Sequence, residues 1–173
     1  MSAAARGDLL LLLHAHLPYV RHPENSYHLE ENWLYEAITA TYLPLVQELQ
    51  KFGTTSSGPK LTLSLSPTLC SMLRDKLLTD RYRSYLDRLL RLGEEELTRA
   101  KADPAQSELV RFYLSRFTEL RALWRSLDSD LVAAFGQLQD RGTVELITTC
   151  ATHAYLPVVQ KPSARRAQLI IAV

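Results

Sequence analysis

Apolar positions fall in short blocks along this chain, and the first block is unbroken. Leu9 to Leu13 are followed by His14-Ala15-His16-Leu17-Pro18-Tyr19. A run of five leucines suits a buried strand and is too short to span a membrane. It predicts strand one over residues 8–13, then a loop rich in His, Pro and Asn (His22, Pro23, Asn25). Helical spacing follows over about 30–52, with Trp33, Ala37, Leu45 and Leu49 near one face and acidic residues in the first turn. Pro44 is expected to kink or divide that helix. Residues 53–59, full of Gly, Thr and Ser, read as a turn.

The next block, Leu61-Thr62-Leu63-Ser64-Leu65, alternates, so residues 60–65 form strand two. Ser66-Pro67 then supplies an N-cap and a proline at the first helical position. From about 80 to 127 the pattern is helical, with a break near Asp103-Pro104. Charges of both signs alternate along it, which reads as a solvated helical hairpin inserted between strands two and three. A helix over 130–141 stops at Gly142, strand three covers 143–148, and an apolar helix start occupies 165–173. Strands alternating with helices imply an α/β fold with a parallel sheet and right-handed crossovers. Three strands are few for such a sheet, and the last apolar run has no stop signal. The expectation is one unit over 1–173, cut short from a larger domain.

All three strands then point their C-terminal ends at one rim, the place where α/β sheets bind ligands. That rim receives His14 and His16 from strand one and Ser66 from strand two. The loop after strand three adds Cys150, Thr152, His153 and Tyr155. At period two the histidine pair falls on one side of an extended backbone. Such a pair could chelate Zn²⁺ with further ligands, hydrogen-bond a polar uncharged ligand, or serve structure alone. His153 is a candidate third ligand, but no carboxylate lies in the exit loop of strand three, and hydrogen bonding to an uncharged ligand is the preferred reading. Trp33 and Tyr35 fall at a helix start beside this rim. Aromatic residues at helical spacing usually belong to a core, while a rim tryptophan beside histidines is also what stacks on a sugar ring. Cys150 reads as a structural cysteine, and Ser66 as a helix cap and nothing more.

Charge and composition narrow the partner. A net charge of +1 with no basic stripe gives no case for nucleic acid or an anionic membrane. The two cysteines, Cys70 and Cys150, form no disulfide framework. No signal-peptide pattern opens the chain, so a cytoplasmic location and a neutral partner are expected. There is no Gly-rich phosphate loop and no nucleophile elbow.

Three ordered segments together resemble one known family. They are His14-Ala15-His16-Leu17-Pro18-Tyr19-Val20-Arg21 with Glu30-Glu31-Asn32-Trp33-Leu34-Tyr35-Glu36-Ala37, then Leu61-Thr62-Leu63-Ser64-Leu65-Ser66-Pro67, then Val144 through Pro157 around Cys150-Ala151-Thr152-His153. This set resembles the start of glycoside hydrolase family 57, in its 1,4-α-glucan branching group. The resemblance implies the first part of an incomplete (β/α)7 barrel, a retaining mechanism, an α-1,4-glucan substrate, and neither cofactor nor metal. It implies that His14 and His153, with Trp33, line the subsite where a glucose unit is cleaved; His16, as the support of His14, and Tyr155 are the further candidate substrate-binding residues. Retaining glycosidases need two carboxylates about 5–5.5 Å apart. In the family both come later than position 173, and no Glu or Asp here matches them, so the chain alone is expected to be inactive. The family usually has glycine where this chain has Ala154; if that position needs positive φ, alanine costs about 1 kcal/mol.

Two other readings remain: a non-catalytic glucan-binding remnant, and a metal-dependent hydrolase built on His14 and His16. A three-stranded sheet also leaves strand three as an apolar edge, and such edges template association. The chain is therefore expected to self-associate and to be marginally stable. Size-exclusion chromatography with a thermal melt checks this: a monodisperse monomer with a sharp, concentration-independent transition would count against it.

Overall fold

The structure, a computed structural model, describes Gly7 and residues 9–52 and 60–172. Asp8, the turn expected over 53–59 and Val173 lie outside the described residues. Three parallel strands, β1 (Leu12–Ala15), β2 (Leu61–Leu65) and β3 (Val144–Thr148), stand in the order β1-β2-β3. Ala15, Leu65 and Thr148 occupy one row of the register, so the three strand ends meet at a common rim. In-register neighbours share a face. One face carries Leu13, Ala15, Leu63, Leu65, Val144 and Leu146 and packs against the helices in a single core. The other carries Leu12, His14, Thr62, Ser64, Glu145 and Ile147. The sheet is apolar on one side and largely polar on the other.

β1 starts later than the leucine run implied. Its first rung is the Thr62 N–H donating to Leu11 O at 3.0 Å, and Leu9 is 95% exposed. β1 is an edge strand, and no part of the described chain covers residues 9–11. β3 forms the opposite edge.

The helix expected over 30–52 is α1 (Glu31–Ala37), a π-helical turn (Ile38–Tyr42) and α2 (Leu43–Lys51) in direct succession. Pro44 does not break it. A proline has no N–H to donate and crowds the carbonyl four residues back. Here the Leu43 N–H reaches Ile38 O, five residues back, and the widened turn makes room for the ring. Four further helices each begin on a side-chain cap. Ser66 caps α3 (Pro67–Leu73), Asp75 caps α4 (Lys76–Arg99), Asp103 caps α5 (Pro104–Ser126) and Asp130 caps α6 (Leu131–Asp140). Gly142, at φ +72°, closes α6 with its N–H on Gln139 O, a left-handed position that glycine adopts without strain. α7 runs Pro162–Ile170, starting earlier than the apolar run suggested.

The α4–α5 hairpin is not merely a solvated excursion. Leu78, Tyr82 and Leu86 of α4 and Trp124 of α5 are fully buried, with Tyr82 edge-on to Trp124 at 4.8 Å. The base of the hairpin belongs to the core, while Leu92, Leu109 and Phe112 are exposed farther out.

One ion pair lies inside this packing. Glu31, 1% exposed, accepts from Arg81 of α4 at 2.5 Å, from the His22 N–H at 3.1 Å and from the Tyr35 hydroxyl at 2.7 Å. Burial, followed by the hydrogen bond to Glu31, pushes the Tyr35 phenol far above its ordinary pKa, so it remains a neutral donor. Arg81 also donates to His22 O and Asn25 O. The loop between β1 and α1 is thereby tied to α4. Removing one partner of a buried pair strands the other charge, so Glu31→Ala should cost about 3–5 kcal/mol. Lys76→Ala, which breaks the exposed Lys76–Asp80 pair, should cost less than about 1 kcal/mol. Urea unfolding of both variants checks this, and equal losses would mean the Glu31 pair is not desolvated.

Candidate functional site

The β1–β2 register sets a histidine pair against a serine pair. His14 stands opposite Ser64 on the polar face, and its Nδ1 lies 3.1 Å from Ser64 Oγ. One step beyond the strand ends, His16 Nδ1 lies 2.8 Å from Ser66 Oγ. Each serine fixes the ring of one histidine, which leaves its Nε2 edge to face outward. Ser64 is buried and was not picked out from the sequence. The signal was available in the alternation of Leu61-Thr62-Leu63-Ser64-Leu65, since a parallel strand buried on both sides reads as continuously apolar. Ser66 does cap α3, accepting from the Leu69 N–H at 3.2 Å, but it also holds His16, which corrects the expectation that it caps and does nothing else.

The loop after β3 brings in the third histidine. His153 Nε2 lies 3.0 Å from His14 Nε2, and the His153 ring stacks on His16 with centroids 4.1 Å apart. The loop is held from several sides. Its Ala151 carbonyl accepts from Thr68 Oγ1, and the Cys150 thiol donates to Ala154 O at 3.0 Å. Gln168 of α7 accepts from the Ala151 N–H through its backbone and binds both the N–H and the hydroxyl of Thr152 through its side chain, each contact at 2.9 Å. Left-handed backbone falls on His153 itself, at φ +55°, and not on Ala154, so the alanine carries none of the strain anticipated for it. Cys150 is half-buried and acts as a loop clamp, as a structural role requires.

The three histidines predicted for the rim are together. Trp33 and Tyr155 take no part in the ring contacts or hydrogen bonds among them. Trp33 is 51% exposed, which removes it from the core, and Tyr155 is 72% exposed at the start of a short 3-10 turn. The partner of Trp33 in the core reading, Tyr35, is the buried one. The hydrogen bonds of the rim histidines go to serines and to each other, and none goes to a carboxylate.

The sequence profile of glycosyl hydrolase family 57 matches residues 10–172. The chain belongs to this family. It is 33% identical to a 1,4-α-glucan branching enzyme of Thermococcus kodakarensis over 95% of its own length and 24% of that protein's. Among solved structures it superposes on the family 57 branching enzyme of Pyrococcus horikoshii with a TM-score of 0.88 at 36% identity, covering 96% of this chain and 31% of that one. It superposes on the α-amylase AmyC of Thermotoga maritima with a TM-score of 0.92 at 37% identity, covering 98% of this chain and 32% of that one. The chain thus spans about a quarter to a third of the length of these family 57 relatives. The parallel α/β architecture is that of the N-terminal part of a family 57 enzyme, as its motifs implied.

Chemically, the rim of this family 57 chain is a set of directed donors and acceptors. The Nε2–Nε2 bond requires one ring to donate and the other to accept, and the Ser64 hydroxyl completes either tautomer of His14. Burial, followed by the neighbouring His153 and His14 rings, holds His16 below the ordinary histidine pKa. A folded-state pKa below the unfolded one means that acid protonates the unfolded chain first. Stability should therefore be intact above about pH 6.5 and decline as pH falls through the lowered pKa of His16. Thermal melts across this range check the decline, and His16→Gln should flatten it. An unchanged slope in that variant would assign the pH dependence to other groups.

Proposed function

We propose that this chain is the glucan-binding N-terminal part of a 1,4-α-glucan branching catalytic domain, of the kind that makes α-1,6 branches in glycogen-like glucans. The observation that carries the proposal is the serine-braced histidine rim at the strand ends. A sugar hydroxyl is both donor and acceptor, so it can replace the His14–His153 bond and satisfy both rings at once. His14 and His153 would bind hydroxyls of the glucose unit at the cleaved bond, with His16 supporting them through its stack on His153. Trp33 and Tyr155, with exposed rings, would supply stacking surfaces against the apolar face of a pyranose. Serine-braced imidazoles with no carboxylate among their hydrogen-bond partners suit an uncharged polymer. Reaction in the complete protein would proceed by carboxylate attack, a covalent glucosyl intermediate, and transfer to a glucan 6-hydroxyl. On this reading both carboxylates would come from outside this chain. No described helix is long and apolar enough to cross a membrane, and the proposed location is cytoplasmic.

A hydrolytic reading is favoured by one observation, the superposition on the α-amylase AmyC at a TM-score of 0.92. Product analysis of the complete protein separates the two: α-1,6 branch points support transfer, whereas reducing ends without branches support hydrolysis.

For the chain itself, amylose turnover should be zero while maltooligosaccharide binding persists. His14→Ala and His153→Ala should each weaken that binding by about 1 kcal/mol, roughly fivefold in Kd. Titration calorimetry reads this directly. Unchanged affinity in both variants would remove the rim from the sugar site.

A further inference from the structure

A second histidine cluster lies in the loop between β1 and α1, outside the rim. The sequence there repeats a spacing, His22-Pro23-Glu24 and His28-Leu29-Glu30. In the fold the repeats come together. The His22 and His28 rings stack with centroids 3.5 Å apart and planes 12° from parallel. Glu24 Oε1 lies 3.2 Å from His22 Nδ1, and Glu30 Oε2 lies against His28 Nδ1. His22, His28 and Glu30 are the group of three among the described residues whose ligand atoms all lie within 4.8 Å of one another.

Two observations ask for a cation there. His28 Nδ1 is buried and, although it touches Glu30, makes no aligned hydrogen bond. Arg81, which reaches the same loop, is already matched by the buried Glu31 and turned toward backbone carbonyls there. We propose that His22, His28, Glu30 and Glu24 form a Zn²⁺ site that pins this loop. Two imidazoles and two carboxylates are a suitable donor set for four-coordinate zinc. Face-to-face rings cannot both hold an ion in their planes, so binding turns one imidazole about its Cβ–Cγ bond, a torsion with broad minima. The ion is structural. It completes the tie that Arg81 makes between the loop and α4, and it leaves the sugar chemistry of the rim untouched.

The test is titration of the chelator-treated full chain with ZnCl2, followed by metal analysis after dialysis. One equivalent should bind. His28→Gln and Glu30→Gln should each weaken binding by at least about tenfold. His153→Gln, at the rim, should leave it unchanged. Glu24→Gln changes an exposed carboxylate at little risk to folding, and it should weaken binding as well. Metal-free melts matching the parent's show that the affinity loss is not unfolding. The proposal is overturned if no saturable binding occurs, if binding survives both His28→Gln and Glu30→Gln in folded protein, or if it disappears in His153→Gln.

Discussion

The parallel register between β1 and β2 is the constraint on which the site depends. A shift of one residue would turn His14 onto the core face and Ala15 onto the polar one. The core fixes that register, because Leu13 and Ala15 must enter beside Leu63 and Leu65. Each histidine then meets its serine without any further specification. Packing on one face of the sheet aims the polar groups on the other.

Much of this was legible in the chain because the signals were local. Ser66-Pro67, Asp103-Pro104 and Gly142 mark helix ends through their own backbone chemistry, and all three do so in the fold. The convergence of His14, His16 and His153 followed from parallel strands sharing a rim. What escaped the sequence was pairwise. Ser64 looked like one polar position in an alternating strand until its cross-strand neighbour was known. Glu31 looked like an ordinary acidic residue in a first helical turn, and only Arg81, fifty residues on, explains its burial. The π-helical turn before Pro44 was invisible for a related reason: a proline in a helical pattern signals a break, and the choice between a kink and a widened turn depends on what the following residues must bury.

The two histidine clusters differ in the charge that surrounds them. At the rim, among the described residues, the ring nitrogens meet serine hydroxyls and each other. In the β1–α1 loop each imidazole has a carboxylate beside it. Leu17 to Arg21 separate the two in sequence, and Arg21 is itself occupied by Asp75 at 2.7 Å. One short stretch of chain therefore presents two environments, one lined by hydroxyls and one by carboxylates.

The clamp of Gln168 on the β3 exit loop has a consequence for the order in which the site can appear. His153 is aimed by a residue fifteen positions after it, through contacts to Ala151 and Thr152. During synthesis, the two strands carrying His14 and Ser64 can pair well before that residue leaves the ribosome. A nascent chain ending just after Tyr155 would hold the β1–β2 half of the rim, with the His153 loop tied by Thr68 and Cys150 but without the three contacts of Gln168. Completion of the binding edge is timed by α7 rather than by the strand that carries the residue, and a stalled or clipped product lacking that helix would own every rim histidine without having the rim.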